Sequence, residues 1–351
     1  IEANGRPVTP GLFAGITALG LVEITMVQET SDAALALAGM RPEFDVITAY
    51  NPWSTLVPVT RIEGFTWTLL GASRSGSIVG GQGRSVSLDG AYDSFMGDRV
   101  LFIDIGAAAS AQSDGSRAGQ WMLLDQAMNE AGEEVQWIPE PLLTPAGRTA
   151  LASYRNGNTV VFNVNRASDI LQVIAFAGKH GLNPVINGAA EGWMVARQLA
   201  EAGVPVLLDP LANAPSNFDT LGARLDNAAR LHEAGVTIAF SGMGSHQARK
   251  LRQAAGNAVA NGLPWEAALA ALTVNPATIF GIEPGYGTID PGSSADIVIW
   301  SGDPLEVTTG ADQVIMNGSL IGMVSRQTLL RDRYMEQDPP LPRAYIVPDP
   351  D

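Results

Sequence analysis

Few side chains in this sequence could carry hydrolytic chemistry, and histidine is the scarcest. The 351 residues include three His, at 180, 232 and 246, and no Cys. A hydrolytic metal site needs His and carboxylate ligands, plus an open position for the water whose pKa the metal lowers. Neither a His-x-His nor a His-Glu-x-x-His spacing occurs. His180 and His232 stand just before Gly181 and Gly235, in segments that read as last helical turns, where a basic group complements the helix dipole. His246 alone falls in a polar loop, Ser241-Gly242-Met243-Gly244-Ser245-His246. Ser241, His246 and Asp209 could in principle form a nucleophilic triad, but no Gly-x-Ser-x-Gly elbow is present to position the Ser.

The elements that must position these residues alternate. Apolar runs suited to buried parallel strands lie at Leu12–Ile16, Thr66–Leu70, Val100–Ile105, Thr159–Val164, Pro184–Ile186, Val204–Leu208 and Val236–Phe240. Val135–Ile138 is assigned as the fourth strand. Helical patterns fall at Gln120–Ala131, Asp169–Lys179, Glu191–Ala202, Asp226–Ala234 and Gln247–Ala260, with Gly181, Gly203 and Gly235 placed to end three of them in a left-handed cap. About eight such units predict an α/β fold, a (β/α)8 TIM barrel, whose chemistry sits at the C-terminal ends of the strands. The polar residues expected there are Asn163, Asn165, Arg166, Asn187, Glu191, Ser241 and His246. Each also has a local role open to it: Asn165 or Ser168 as a helix cap, Arg166 as partner of Asp169 or Glu191, Ser245 as cap of the last barrel helix. Gly80-Gly81-Gln82-Gly83-Arg84 lacks the Lys-Ser/Thr ending of a phosphate loop and reads as a structured loop over the barrel mouth.

Beyond Gly285 the pattern changes. Ile297–Trp300, Val314–Met316 and Ser319–Met323 read as strands, with Asn317-Gly318 as a hairpin turn. The passage from Leu272 to Leu305 carries Thr273, Asn275-Pro276-Ala277, Gly285-Tyr286-Gly287, Asp290-Pro291-Gly292, Ser294-Ala295-Asp296 and Ile297-Val298-Ile299-Trp300. This order resembles the C-terminal passage of the amidohydrolase superfamily, in its imidazolonepropionase-like members. The resemblance implies a metal-binding barrel with a small β-sandwich domain formed by the chain ends. It divides the chain into a sandwich remnant at 1–11, a barrel at 12–284, and sandwich strands with an extended Pro-rich tail at 285–351. Ile1–Val8 is expected to pair with the C-terminal strands.

The resemblance also implies ligands that this chain lacks. Where the family carries His-x-His after its first strand stand Ile16 and Ala18. Where it carries a later His stands Asn163, and where it carries the last Asp stands Met243. Ile16, Ala18, Asn163 and Met243 are therefore expected as vacated ligand positions, close together at the mouth, with no cofactor bound where the family norm is a divalent metal such as zinc. The function expected is that of an impaired amidohydrolase, a partner subunit or small-molecule binder. The alternative is an active amidohydrolase with an atypical or metal-free site acting on amide, cyclic amide or peptide-like C–N bonds.

Composition narrows the partners. The formal net charge is −15 and the only lysines are Lys179 and Lys250. Such a surface repels nucleic acid and anionic membranes, and no apolar run reaches the roughly 20 residues of a membrane span. The lack of Cys excludes disulfides and is compatible with an exported, periplasmic or extracellular protein. A small-molecule ligand fits this composition. An open sheet edge would call for a homo- or hetero-oligomer with a related chain.

Overall fold

Mostly apolar runs form the strands at the centre of the molecule, because the segments inside the barrel wall are covered on both faces. The computed structural model describes residues 1–73, 76–132 and 139–335. The central sheet has eight strands in chain order: β2 (Leu12–Thr17), β3 (Phe65–Leu70), β4 (Val79–Ser87), β5 (Phe95–Asp104), β6 (Thr159–Val164), β7 (Asn183–Gly188), β8 (Val206–Leu208) and β9 (Ile238–Phe240). Helices α1 (Leu56–Arg61), α2 (Arg117–Gly132), α3 (Pro145–Tyr154), α4 (Ala167–His180), α5 (Ala196–Glu201), α6 (Asn227–Glu233), α7 (Leu251–Ala260), α8 (Trp265–Ala270) and α9 (Val274–Ile279) follow or flank the strands. The result is the (β/α)8-like barrel the alternation predicts. One hydrophobic cluster fills the barrel around Phe13, Trp67, Phe102, Val161, Val185 and Leu207. A second lies between the sheet and the helices.

The Gly-rich segment corrects the sequence reading. Gly80–Arg84 is part of β4, buried within the sheet and antiparallel to both β3 and β5, not a loop over the mouth. Its glycines are there for room. A Cβ on Gly83 would stand 1.8 Å from the carbonyl oxygen of Leu70, and one on Gly81, at φ +118°, 2.6 Å from that of Phe44. Glycine in a strand marks such close backbone approach. Gln82 fixes the strand by donating from Nε2 to the Pro42 carbonyl at 2.8 Å and accepting from the Tyr154 hydroxyl at 2.9 Å. Val135–Ile138, assigned as the fourth strand, lies outside the described residues.

Between β9 and β2 the ring is joined by backbone from elsewhere. The Phe13 amide donates to Leu272 O at 2.7 Å, and the Phe240 amide donates to Ala271 O at 3.1 Å. The Ile16 amide donates to Ser241 Oγ at 3.0 Å. Gly15 permits this seam, since its φ is +87° and a Cβ there would meet the Ser241 backbone at 3.3 Å.

The chain ends build a separate antiparallel sheet in the order β1 (Val8–Pro10), β10 (Ile297–Trp300), β11 (Ala311–Met316), β12 (Ser319–Leu320). Pairing at the N-terminal end therefore starts at Val8, opposite Ile299; residues 1–7 are not strand. Asn317 (φ 49°) and Gly318 (φ 75°) make the hairpin turn their types predict. Trp300 joins this sheet to the barrel: it is fully buried, Arg252 of α7 lies 5.6 Å over its ring, and its Nε1 donates to Thr9 Oγ1 of β1 at 2.9 Å. Helix α10 (Arg326–Met335) follows. The Pro-rich tail from Asp338 lies outside the described residues. Among the described residues no helix is long and apolar enough to cross a membrane.

Candidate functional site at the barrel mouth

Three neighbouring strands set the floor and lip of the mouth. Phe102, Val161 and Val185 are cross-strand partners on β5, β6 and β7, and all lie in the barrel's inner cluster. Side chains on a strand repeat their direction every second residue. The next residues of the same parity are Asp104, Asn163 and Asn187, again cross-strand partners. These three side chains are bonded in a line. Asn187 Nδ2 donates to Asn163 Oδ1 at 2.7 Å, and Asn163 Nδ2 donates to Asp104 Oδ1 at 3.3 Å.

Above the line opens a cavity of about 450 Å³. Its walls bring Ile16 and Ala18 from the first barrel strand and its loop together with Phe102, Asp104, Asn163 and Met243. Of the polar candidates, Asn163 lines this cavity and Asn187 is joined to it by the hydrogen bond just described. Asp104 had not been singled out from the sequence. The alternation Val100-x-Phe102-x-Asp104 at a strand's end was the signal that could have found it.

Most of the other candidates hold loops in place. Ser241 accepts from the Ile16 amide, and Ser245 accepts from the Ala18 amide at 3.0 Å. Ser245 thus ties the loop after β9 to the end of β2, where a helix cap was expected; its helical turn has no side-chain cap. Glu191 accepts from the amides of Ala167 and Gly222, both at 3.1 Å. Asn165 accepts from the Ala190 amide at 3.3 Å and does not cap α4. Asp169 takes Arg117 as its partner at 3.0 Å, not Arg166, which is exposed at the start of α4. Arg117 also contacts Asp219, which accepts from the Ala107 amide at 2.6 Å, so the loop after β8 is clamped to the end of β5. His246 is exposed and lies outside the cavity wall. His180 sits 2.7 Å from Asp125 at the end of α4, and His232 is exposed near the end of α6.

One acid at this end of the barrel has shifted. Burial raises the Asp209 carboxyl above its ordinary value, and the bond it accepts from the Leu211 amide at 2.9 Å only partly offsets this. It packs against Gly242, where a Cβ would come within 2.6 Å of the Asp209 Cβ.

A divalent metal of the kind the sequence resemblance implies does not fit this donor set. Ile16 and Ala18 carry no lone pair, Met243 offers a thioether where a hard oxygen is needed, and the Asn163 amide is bonded on both sides. Among the described residues no three His, Cys, Asp or Glu side chains come together as a metal-binding group.

Comparisons with known proteins agree on the frame. The sequence profile described as "Amidohydrolase family" matches residues 146–324. A solved amidohydrolase from Thermotoga maritima MSB8 shares the fold with a TM-score of 0.80 and 23% identity, over 92% of this chain and 88% of that one. A solved molinate hydrolase gives a TM-score of 0.52 at 16% identity, over 92% and 85% of the two chains. The curated amidohydrolase tasK of Hapsidospora irregularis is 45% identical over 58 residues, which is 16% of this chain and 6% of that protein.

Proposed function

The chain belongs to the amidohydrolase family, and we propose that it uses the family's barrel to bind a small molecule without metal-assisted hydrolysis of C–N bonds. The observation that carries this reading is the line Asp104–Asn163–Asn187. The side chains at the strand ends are turned toward each other as donor and acceptor, and the positions beside them, Ile16, Ala18 and Met243, are apolar.

The chemistry of the mouth follows from its hydrogen-bond inventory. An Asn amide has two N–H donors and a carbonyl acceptor. The line uses one N–H from each Asn, so each keeps one, and the Asn187 carbonyl is not used by the line. A ligand with a donor beside an acceptor, such as an amide, urea or lactam edge, matches that set. Ile16, Phe102 and Met243 supply apolar walls for the rest of it. A cavity of about 450 Å³ lies within the usual range for small-molecule sites. In this reading residues 12–284 are the binding barrel, 1–11 the sandwich remnant, and the stretch from 285 supplies the remaining sandwich strands.

Metal titration tests the proposal. Calorimetry with Zn²⁺ and Mn²⁺, followed by elemental analysis of dialysed protein, should find no stoichiometric ion. The combined variant Ile16→His, Ala18→His, Asn163→His, Met243→Asp should gain measurable affinity. A stoichiometric ion in the unaltered protein that is lost in Asp104→Ala would overturn the reading.

A further inference from the structure

Two surface features far apart in the chain are complementary. The first is a groove of about 440 Å³ between α1 and α10, with Trp53, Pro58, Leu329 and Leu330 as its apolar lining and Arg326 and Arg333 beside them. Trp53 is 73% exposed. Helix α10 buries none of its residues. A ten-residue helix is marginal by itself, since isolated helices shorter than about 12–15 residues rarely hold in water. Its three Arg against one Asp, Asp332, give it a net charge of +2 on a chain whose net charge is −15.

The second feature is a closed knob over residues 22–31, in the loop that follows β2. A bridge between Val22 and Ser31 shuts its base. The Glu23 amide donates to Thr30 O at 3.0 Å, and Thr30 Oγ1 lies 3.1 Å from Ile24 O and 2.9 Å from Val27 O. The knob is thus held in shape by its own bonds while it presents apolar side chains to water: Met26 is 95% exposed and Ile24 55%. Glu23 and Glu29 give it a charge of −2, and it contains no basic residue.

We propose that the knob of one copy of this chain seats in the α1–α10 groove of a second copy. Met26 and Ile24 would meet Trp53 and the two Leu of α10, with Glu23 and Glu29 at the Arg rim. Large exposed apolar side chains framed by charge mark protein–protein contacts, and opposite charges around them set the pairing and its salt dependence. The two surfaces differ, so the contact is heterologous, which closes into a ring or continues from copy to copy.

Light scattering on the full chain tests this. The unaltered protein should exceed its single-chain mass of 36.8 kDa, and the excess should fall as salt rises. The knob variant Met26→Asp and the groove variant Arg326→Glu/Arg333→Glu should each run as monomers, with unchanged circular dichroism. Mixed together, they should form a dimer and nothing larger, because only one intact knob and one intact groove remain to meet. A variant that carries Glu23→Arg/Glu29→Arg as well as the groove change should regain assembly. A monomer at all concentrations, an assembly that survives the groove change, or a mixture that stays monomeric would overturn the proposal. So would an assembly that survives Met26→Asp but is lost on the groove change, since the occupant of the groove would then be another surface.

Discussion

Two rows of side chains on the same three strands have followed different rules. Phe102, Val161 and Val185 form the inner row, and Asp104, Asn163 and Asn187 stand two residues further along β5, β6 and β7. The inner row is apolar and buried, as packing inside a barrel requires. The outer row is polar, yet two of its members are neutral amides that bond to each other and to Asp104. The inner row holds the frame whatever the chemistry. The outer row must find partners for its polar groups, and two of those bonds lie within the row itself.

The comparison can be broken hardest at the inner row. Phe102→Ala removes a fully buried ring shared by the barrel cluster and the cavity wall. It should destabilise the protein by about 3–5 kcal/mol, measured by urea unfolding. An intermediate effect is expected from Asn163→Leu, which keeps the volume but takes the donor from Asp104 and the acceptor from Asn187. Losing the acceptor of the Asn187 amide and one donor to Asp104 should cost about 1–3 kcal/mol. If Asn163→Leu proves neutral, the outer row is not a bonded line in solution.

The smallest effect concerns pH. Burial raises the Asp209 carboxyl above 3.8, so the folded state holds a proton that the unfolded state releases. Between those two values stability falls as pH rises, and the penalty is fully present above the folded value. Asp209→Asn should raise Tm at pH 7 and leave it nearly unchanged near pH 3. A Tm gain equal at both pH values would show that the effect is packing and not ionisation.

How much of this was legible in the sequence depended on what each residue was doing. The apolar strands from Leu12 to Phe240 announced themselves, because a buried parallel strand is a run of uncharged residues. The left-handed caps at Gly181, Gly203 and Gly235 were equally plain. Strand β4 was not, because Gly81 and Gly83 serve close approach by Phe44 and Leu70, contacts that no local period encodes. Asn163 and Asn187 were found as strand-end residues, but their bond depends on register between strands. The roles of Ser241 and Ser245 were missed for a similar reason: their hydroxyls bond backbone more than 200 residues away, at Ile16 and Ala18. Arg117 gave no signal at all, since its two acids come from the first turn of α4 and from the loop after β8.

The sheet made by the chain ends has a consequence in time. Val8 pairs with Ile299, so the loop that closes when β1 meets β10 contains almost the whole barrel. Closing a loop of that length in an unstructured chain is entropically costly, and contacts between distant parts of a sequence form slowly. A barrel that folded first would shorten the search by carrying Pro10 to the place where β10 will lie. During synthesis β1 leaves the ribosome long before its partner exists. Residues 8–10 therefore wait unpaired through most of translation, and the pairing of β1 with β10 belongs among the last steps by which this protein becomes native.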